Sequence, residues 1–421
     1  MKQRILISLM LVFMAQASFS QFTVTGEIRP RGEIRNGFKT LPTETTTPAF
    51  FVSQRTRLGL AYKAEKISTK ITFQDARVWG DEPYKTDVPN ITLYEAWAEI
   101  PLCDSLSLRV GKQELAYDND RLLSANSWTQ LGATHNAALL KYKKSGLQID
   151  FAAAFNQAAE NTFGTDYTGL TSSYKSLNIL WITKNFGDNL KVSVAGIADG
   201  YQKEGLTNTT YLRGTFGGVV EYKKEKQYGA ALRGFYQTGH LSNGQEVAAY
   251  YGSAEVSHTL AEKWTFTLGL EYISGNDAAD TANKKSNAFS VLYGAGHKFN
   301  GNMEYFSTML KDRKSPGLVD PYINAIYKVN DKWQIRGDFH YFMLQNNYII
   351  NTDPIDKKLG AEADITCKYN FAKEAALSLG FSIMRPNKSM EPIVGGDSSF
   401  YGTWGFVMLT FKPTMFKSEK K

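Results

Sequence analysis

The run Phe22 to Arg35 alternates with a period of two. Phe22, Val24, Gly26, Ile28, Pro30, Gly32 and Ile34 share one parity, and Thr23, Thr25, Glu27, Arg29, Arg31, Glu33 and Arg35 share the other. Successive side chains of an extended chain point to opposite faces, so this is a strand with one apolar face and one ionisable face. The rule recurs down the chain. Leu58, Leu60 and Tyr62 oppose Ser53, Arg55, Arg57 and Lys63; Leu106, Leu108 and Val110 oppose Ser107, Arg109 and Gln113. Arg213, Thr215 and Glu221, then Arg233 and Gln237, then Gln334, Arg336, Asp338 and His340, and then Glu362, Asp364 and Lys368 continue the polar face.

The strands come in pairs. Short turns such as Ala64-Glu65-Lys66, Lys144-Ser145-Gly146, Gly187-Asp188-Asn189 and Asn330-Asp331-Lys332 close every second step. Long connections fill the other steps, over 40–48, 80–90, 115–136, 156–173, 275–287, 345–356 and 385–400. A soluble sandwich has no reason to alternate so regularly. A membrane barrel does: it has short periplasmic turns, long extracellular loops and a polar face turned to a water-filled lumen. Strands of about 8 to 13 residues are long enough to cross at a tilt. The pattern therefore predicts an all-β, transmembrane antiparallel β-barrel.

Two details refine it. Asp75, Arg77 and Trp79 fall on the apolar parity of the third strand, which predicts a bulge or the end of the membrane zone near Gln74. Tyr62, Tyr94, Tyr222, Trp264, Tyr272, Trp333 and Tyr369 lie near strand ends, where interfacial aromatic girdles sit. The count is about 20 strands if 288–297 and 303–310 are both strands, and about 18 if Gly275 to Gly317 is one long loop; both are even, as a closed single-chain barrel requires. A loop of that length, rich in aromatics, is suited to fold into the lumen as a constriction.

Residues 1–20 read as a secretory signal peptide: Lys2 and Arg4, an apolar core from Ile5 to Ala17, and a small-x-small site at Ser18-Phe19-Ser20. Residues 21–421 are left for the barrel. No later stretch is apolar for the length of a spanning helix. The chain holds 23 Tyr, 25 Phe and 35 Gly but 2 Cys, a composition suited to an exported barrel of the bacterial outer membrane. The formal charge of +7 is mild for this length and does not argue for nucleic acid. Cys103 sits in a turn and Cys367 on an apolar strand face, a placement that favours two free thiols over a disulfide.

Chemistry is sparse. No nucleophile elbow, HExxH or phosphate loop is present, the five histidines are scattered, and neighbouring carboxylates on one strand do not make a glycosidase pair. Neither a metal site nor a cofactor site is expected. Asp118, Asp120 and Arg121 lie in an expected external loop and lack the remaining ligands of a calcium loop, so they are read as loop braces. His297 is read as a packed loop residue.

Several segments together resemble the alginate-export family of outer-membrane barrels. They are Arg55-Thr56-Arg57-Leu58-Gly59-Leu60, Phe73-Gln74-Asp75-Ala76-Arg77-Val78-Trp79-Gly80, and Arg109-Val110-Gly111-Lys112-Gln113-Glu114-Leu115-Ala116-Tyr117 with Asp120-Arg121-Leu122 and Trp128. Leu292 to Gly301 and Leu359 to Asp364 follow in the same order. The resemblance implies about 18 strands, a polyanion channel with an arginine-bearing lumen, and Arg55, Arg57, Arg77, Arg109 and Arg121 as matching motif positions.

The expected pore-lining cations are thus Arg29, Arg31, Arg55, Arg57, Arg77, Arg109, Arg121, Arg213, Arg233 and Arg336, with Glu27, Glu33, Glu95, Glu362 and Asp364 as counter-charges. A guanidinium ladder can pass carboxylate after carboxylate provided no rung holds too tightly. The same residues can instead stiffen the wall, Arg29, Arg31 and Arg57 pairing with Glu27, Glu33 and Glu95. The function expected is passive passage of anionic solutes, extending to export of an alginate-like anionic polysaccharide. Its partners would be outer-membrane lipid, the anionic polysaccharide or small anionic solutes, and periplasmic export proteins that supply direction. The alternatives are a general or nutrient-specific porin with a mixed-charge pore, and a barrel enzyme acting on lipid or polysaccharide.

Overall fold

The alternating charge of the first strand has a direct structural consequence: Glu27, Arg29, Arg31 and Glu33 are buried inside the molecule, while Ile28 and Ile34 are about half exposed on its outside. The computed structural model describes residues 20–82, 90–165, 173–203, 209–225, 227–350 and 353–419. The signal peptide expected over 1–20 lies outside them save for Ser20, as do parts of the loops expected over 80–90 and 156–173.

The chain forms a closed antiparallel barrel of 18 strands. They are β1 (Gln21–Asn36), β2 (Ala49–Lys63), β3 (Ser68–Val78), β4 (Thr92–Cys103), β5 (Leu106–Gln113), β6 (His135–Lys144), β7 (Leu147–Phe155), β8 (Ser176–Phe186) and β9 (Leu190–Gln202), followed by β10 (Thr210–Lys224), β11 (Tyr228–His240), β12 (Glu246–Leu260), β13 (Trp264–Ile273), β14 (Leu318–Lys328) and β15 (Trp333–Leu344). A small hairpin of β16 (Ile349–Ile350) and β17 (Asp353–Pro354) decorates one loop before β18 (Lys358–Ala372), β19 (Ala375–Pro386) and β20 (Gly402–Phe411) complete the wall. The last strand pairs with the first, Met408 opposite Arg31, and β21 (Thr414–Lys417) carries the seam on with Phe416 opposite Val24. Pro413, which has no N–H to give, separates the two segments, yet its carbonyl still accepts the Gly26 N–H at 3.0 Å.

Among the described residues, closure leaves no unpaired edge in the 18-stranded wall, which a bilayer would not tolerate. The outer surface carries exposed Phe50, Leu232, Val256, Leu268 and Phe381, the apolar outward band of an outer-membrane barrel. Stacked aromatics mark the short-turn end: Trp264 with Tyr327 at 4.2 Å between ring centroids and Trp333 with Tyr369 at 4.3 Å. Cys103 and Cys367 are both free thiols.

Residues 288–297 and 303–310 are not strands; Gly275 to Gly317 is a long loop, and the barrel has the 18 strands that the family resemblance implied. Three other expectations change. The segment after β5 is not external: residues 115–134 fold inward, and Leu115, Leu122 and Leu123 are buried. Tyr94 does not belong to the outer girdle. The register of β4 against β3 shifts between Glu95 and Leu93, and this bulge turns Tyr94 into the interior, where it is 4 % exposed. Arg77 pairs across the sheet with Gln54, on the face opposite to Arg55 and Ser53, so it stands on the outside of the barrel and not in the pore. There Asp75 and Glu82 hold it at 2.7 and 2.5 Å.

The interior is also less polar than strand alternation suggests. Leu177, Ile179, Trp181, Ile197, Val219 and Phe235 of β8–β11 face inward and pack on Leu122 and Leu123. Here the barrel wall supplies the floor of a small hydrophobic core, and the inward loop supplies its lid.

Candidate functional site: a loop-filled lumen

The site is the constriction formed by two inward loops, 114–134 after β5 and 274–317 after β13. Their chains meet side by side in a parallel bridge between Leu123 and Tyr293. Gly294 makes the approach possible, because a Cβ there would lie 2.0 Å from the Arg121 carbonyl oxygen.

The arginines of β1 and β2 hold the first loop by its backbone. Arg29 donates to the carbonyls of Ser127 at 2.7 Å, Thr129 at 2.9 Å and Trp128 at 3.1 Å, and to the Gln130 side chain at 2.8 Å. Arg55 donates to Thr129 and Ser127 carbonyls at 3.1 and 3.3 Å while its other edge binds Glu27 at 2.6 Å. Arg31 donates to the Trp128 carbonyl at 2.9 Å and to Glu33 at 2.9 Å, and its guanidinium lies 4.3 Å from the Trp128 ring centre. Five N–H groups in a rigid fork allow one guanidinium to satisfy several carbonyls at once. Glu33 is shared among Arg31, Arg35 and the Trp404 indole N–H.

Arg57 does not pair with Glu95. It donates to Gln74 at 2.7 Å and stacks 3.4 Å from the Tyr94 ring centre, and Tyr94 in turn donates to Glu114 at 2.6 Å. Gly132, at φ +71°, passes so close to Arg57 and Tyr94 that a side chain would strike both. Glu95 is taken instead by Lys70 at 2.5 Å and by the Trp97 indole N–H at 3.1 Å.

Trp128 joins the two loops. Its ring stacks on His297 at 3.9 Å and 7°, with Trp404 and Phe406 edge-on around it. His297 Nδ1 lies 3.2 Å from Glu304. Burial pushes the His297 imidazole below its ordinary pKa, against the pull of the Glu304 carboxylate. Burial alone would raise Glu304, but the hydrogen bond to His297 and the Lys39 ammonium outweigh it, and its pKa lies below the ordinary value.

The second loop is fastened from the far wall. Arg121 donates to Glu271 at 2.7 Å and to Asn300 at 3.0 Å, and Asn300 donates to Asp320 at 3.1 Å. Glu362 accepts the Met303 N–H at 2.8 Å; Asp364, next on the same face, lies across from Asp338. Asp118 and Asp120 brace the loop through Trp181 and Lys298 rather than through Arg121.

The remaining arginines line the wall with their own counter-ions. Arg109 binds Glu99 at 2.6 Å, Arg213 binds Asp199 at 2.5 Å, Arg233 binds Glu255 at 2.8 Å and Arg336 binds Asp338 at 2.7 Å. Two chambers flank the constriction. The outer one, of about 720 Å³, is lined by Arg213, His240, Tyr293, Lys311 and Arg313. The inner one, of about 400 Å³ toward the short turns, is lined by Lys223, Arg233, Lys298, Arg336 and Asp338. Sequence reasoning missed the roles of Ser127 to Thr129, whose contribution is backbone carbonyls, and of Tyr94, which only the bulge turns inward.

The comparisons agree with this architecture. The family profile described as alginate export matches residues 20–388. No curated protein matches the chain. Among solved structures, the chain is similar to OccAB1 of Acinetobacter baumannii at 12% identity, with 94% of this chain and 97% of that one covered and a TM-score of 0.64. It is similar to a BenF-like porin from Pseudomonas fluorescens Pf-5 at 13% identity, covering 94% and 99% with a TM-score of 0.62. It is also similar to OpdK of Pseudomonas aeruginosa, solved with vanillate, at 10% identity, covering 94% and 99% with a TM-score of 0.60. At these identities the structural likeness bears on the fold, whereas the profile spans most of the sequence: the chain belongs to the alginate-export family and is an outer-membrane β-barrel channel of the porin type.

Proposed function

We propose that this channel passes small anionic solutes passively through a fixed constriction. The observation that carries the reading is the pair of inward loops, fastened at many points by Arg29, Arg31, Arg55 and Arg121, with cation-bearing chambers on both sides. Arg29, Arg31 and Arg55 spend their donors on the loop and serve as braces. Arg213, Arg233 and Arg336 face the chambers and are the candidates for meeting solute carboxylates. Arg213 and Arg336 each already have one carboxylate partner and Arg233 has two, so a passing anion competes for a site rather than filling an empty one. That keeps binding weak enough for release.

An alginate-like polysaccharide is the large member of the same chemical class, and its export would require the Leu123–Tyr293 junction to part. Periplasmic proteins would then supply direction, and outer-membrane lipid would hold the barrel. The mixed-sign wall favours a second reading, a general porin with weak selectivity. No constellation in the described lumen suggests hydrolysis.

The test is a reversible lock. Leu123→Cys with Tyr293→Cys, placed on neighbouring extended segments, is within disulfide reach. In planar bilayers the oxidised variant should conduct as well as the reduced one and keep its anion selectivity. Loss of conductance on oxidation and recovery on reduction would show that the loops part, and would favour the polymer. An open pore without ion selectivity would favour the general porin.

A further inference from the structure

The inner face of β13, β14, β15 and β18 gathers acids. Register sets Glu271 directly opposite Asp320 and Asp338 directly opposite Asp364, with Glu362 two residues from Asp364 on the same face. Like charges directly opposite each other destabilise a sheet unless something intervenes. The constriction loop intervenes at the first pair. Asn300 donates to Glu271 at 2.7 Å and to Asp320 at 3.1 Å, and Arg121 adds a bond to Glu271 at 2.7 Å. His340 stands opposite Glu362, but its Nδ1 lies 3.0 Å from both Asp320 oxygens. Arg336 is held by Asp338 at 2.7 Å. The cations of this wall are therefore occupied.

Glu362 and Asp364 are left over. They are 0 % and 5 % exposed. From β19 they meet Met384 and Ser382, neither of which is ionisable. The loop presses on the same point: a Cβ on Gly301 would lie 2.6 Å from the Glu362 carboxyl group. Glu362 Oε1 accepts the Met303 N–H at 2.8 Å. Glu362 Oε2 and both Asp364 oxygens are buried without a partner from the backbone or from an N–H or hydroxyl side chain. The two carboxyl groups meet each other instead, in a side-chain hydrogen bond. An ionised carboxylate only accepts, so such a bond requires one of the two to carry a proton. Two carboxylates in contact and away from water do not both ionise. Among the described residues, no group of three or more His, Cys, Asp or Glu side chains is placed to hold a metal ion in the proton's stead.

We propose that Glu362 is a positioning residue of the constriction and holds the loop as a neutral carboxylic acid: Oε2 carries a proton and donates it to Asp364, while Oε1 accepts the Met303 N–H. The proposal rests on the reading of residues 274–317 as a fixed constriction and adds what fixes them at β18. Only the neutral acid can serve both partners, because it donates through one oxygen and accepts through the other. One negative charge then remains, on Asp364, in place of two. A hydrogen bond from an O–H to a carboxylate belongs to the strong, charge-assisted class. It also satisfies oxygens that would otherwise be buried unpaired, which a low-dielectric interior penalises heavily. A glutamine side chain offers the same combination of one acceptor oxygen and a donor group, so Glu362→Gln imitates the neutral acid and not the carboxylate.

The experiment joins infrared spectroscopy of the purified barrel at neutral pH to single-channel recording. Wild type should show the C=O stretching band of a protonated carboxyl group, shifted in D2O. Glu362→Gln and Asp364→Asn should each lose that band, because an amide then donates to the one remaining carboxylate. Both variants should keep the amplitude and noise of wild type. Glu362→Ala leaves the Met303 N–H and Asp364 without their partner and should give a larger conductance with noise raised several-fold. Should Glu362→Ala fail to assemble, the wild-type band and its loss in Glu362→Gln still decide the matter. No protonated-carboxyl band in wild type, a band that persists in Glu362→Gln, or Glu362→Gln as noisy as Glu362→Ala would overturn the proposal. Noise that a chelator adds to wild type would also overturn it and put a bound cation in place of the proton. The reading beneath fails differently: conductance lost on oxidising the Leu123→Cys, Tyr293→Cys variant would remove the fixed constriction and leave the infrared band in place.

Discussion

Ten arginines stand together as expected pore-lining cations, and the structure divides them by what their forks touch. Arg29 is the clearest brace, with three loop carbonyls and one side-chain amide on a single guanidinium. Arg29→Ala strands those buried carbonyls, at about 1–3 kcal/mol for each that finds no water. The expected result is a larger and noisier single-channel conductance at unchanged barrel assembly. Arg77→Ala is the contrast: its side chain lies on the outer face between Asp75 and Glu82, and the same recording should match wild type. A drop in conductance for Arg77→Ala would contradict the outward placement. Arg77 joined the expected pore lining through the family resemblance, although strand parity had already set it on the apolar face where the structure finds it.

At the scale of elements, the strands and the long 275–317 loop were legible, and the inward course of residues 115–134 was not. Alternation in β1, β2, β5 and β18 follows from the pleat, which each strand obeys on its own. β8 is different: Leu177, Ile179 and Trp181 face inward and Leu180 faces outward, so both faces are apolar and parity carries no sign of what the inner face packs against. That partner is the loop carrying Leu122 and Leu123, more than fifty positions earlier in the chain. The two inward loops are joined by one aromatic stack, Trp128 on His297, and this gives the constriction a pH dependence. The His297 imidazole is held below its ordinary value of 6.5 by burial, so a released loop binds a proton that the packed loop does not. The packing is therefore at full strength above pH 6.5 and weakens as pH falls from 6.5 toward the depressed folded value. Channel noise and Trp fluorescence should change across that window, and His297→Phe should conduct steadily through it. A His297→Phe variant with the wild-type pH profile would assign the titration to another group.

For the whole molecule, charge is arranged by depth. Most wall arginines are paired with carboxylates while Glu362 and Asp364 have no ion-pair partner among the described residues, exposed lysines such as Lys63, Lys143 and Lys223 stand at the short-turn rim, and the long loops lean acidic. Unpaired rim charges act through solvent and are screened over about 10 Å at 0.1 M salt but about 3 Å at 1 M. Anion preference should accordingly fall several-fold between these two salt concentrations, read as the reversal potential under a salt gradient. A preference that holds at 1 M salt would place selectivity in the desolvated chambers beside Arg213 and Arg233.

The sequence by itself determined the export leader as an expectation, the strand faces, the alternation of short turns and long loops, and the family resemblance, because each depends on neighbours along the chain or on ordered motifs. An even strand count followed from closure, and the choice of 18 over 20 from the family resemblance, which the fold bears out. The length and aromatics of residues 275–317 already suited them to the lumen; tertiary structure alone decided that residues 114–134 join them there, that the bulge at Tyr94 turns a girdle aromatic inward, and that Arg29, Arg31 and Arg55 bind peptide carbonyls. The physical reason is that a carbonyl is present at every position and leaves no trace in residue type. Which carbonyl meets which guanidinium is fixed only when the barrel closes and brings positions about a hundred residues apart into hydrogen-bond distance.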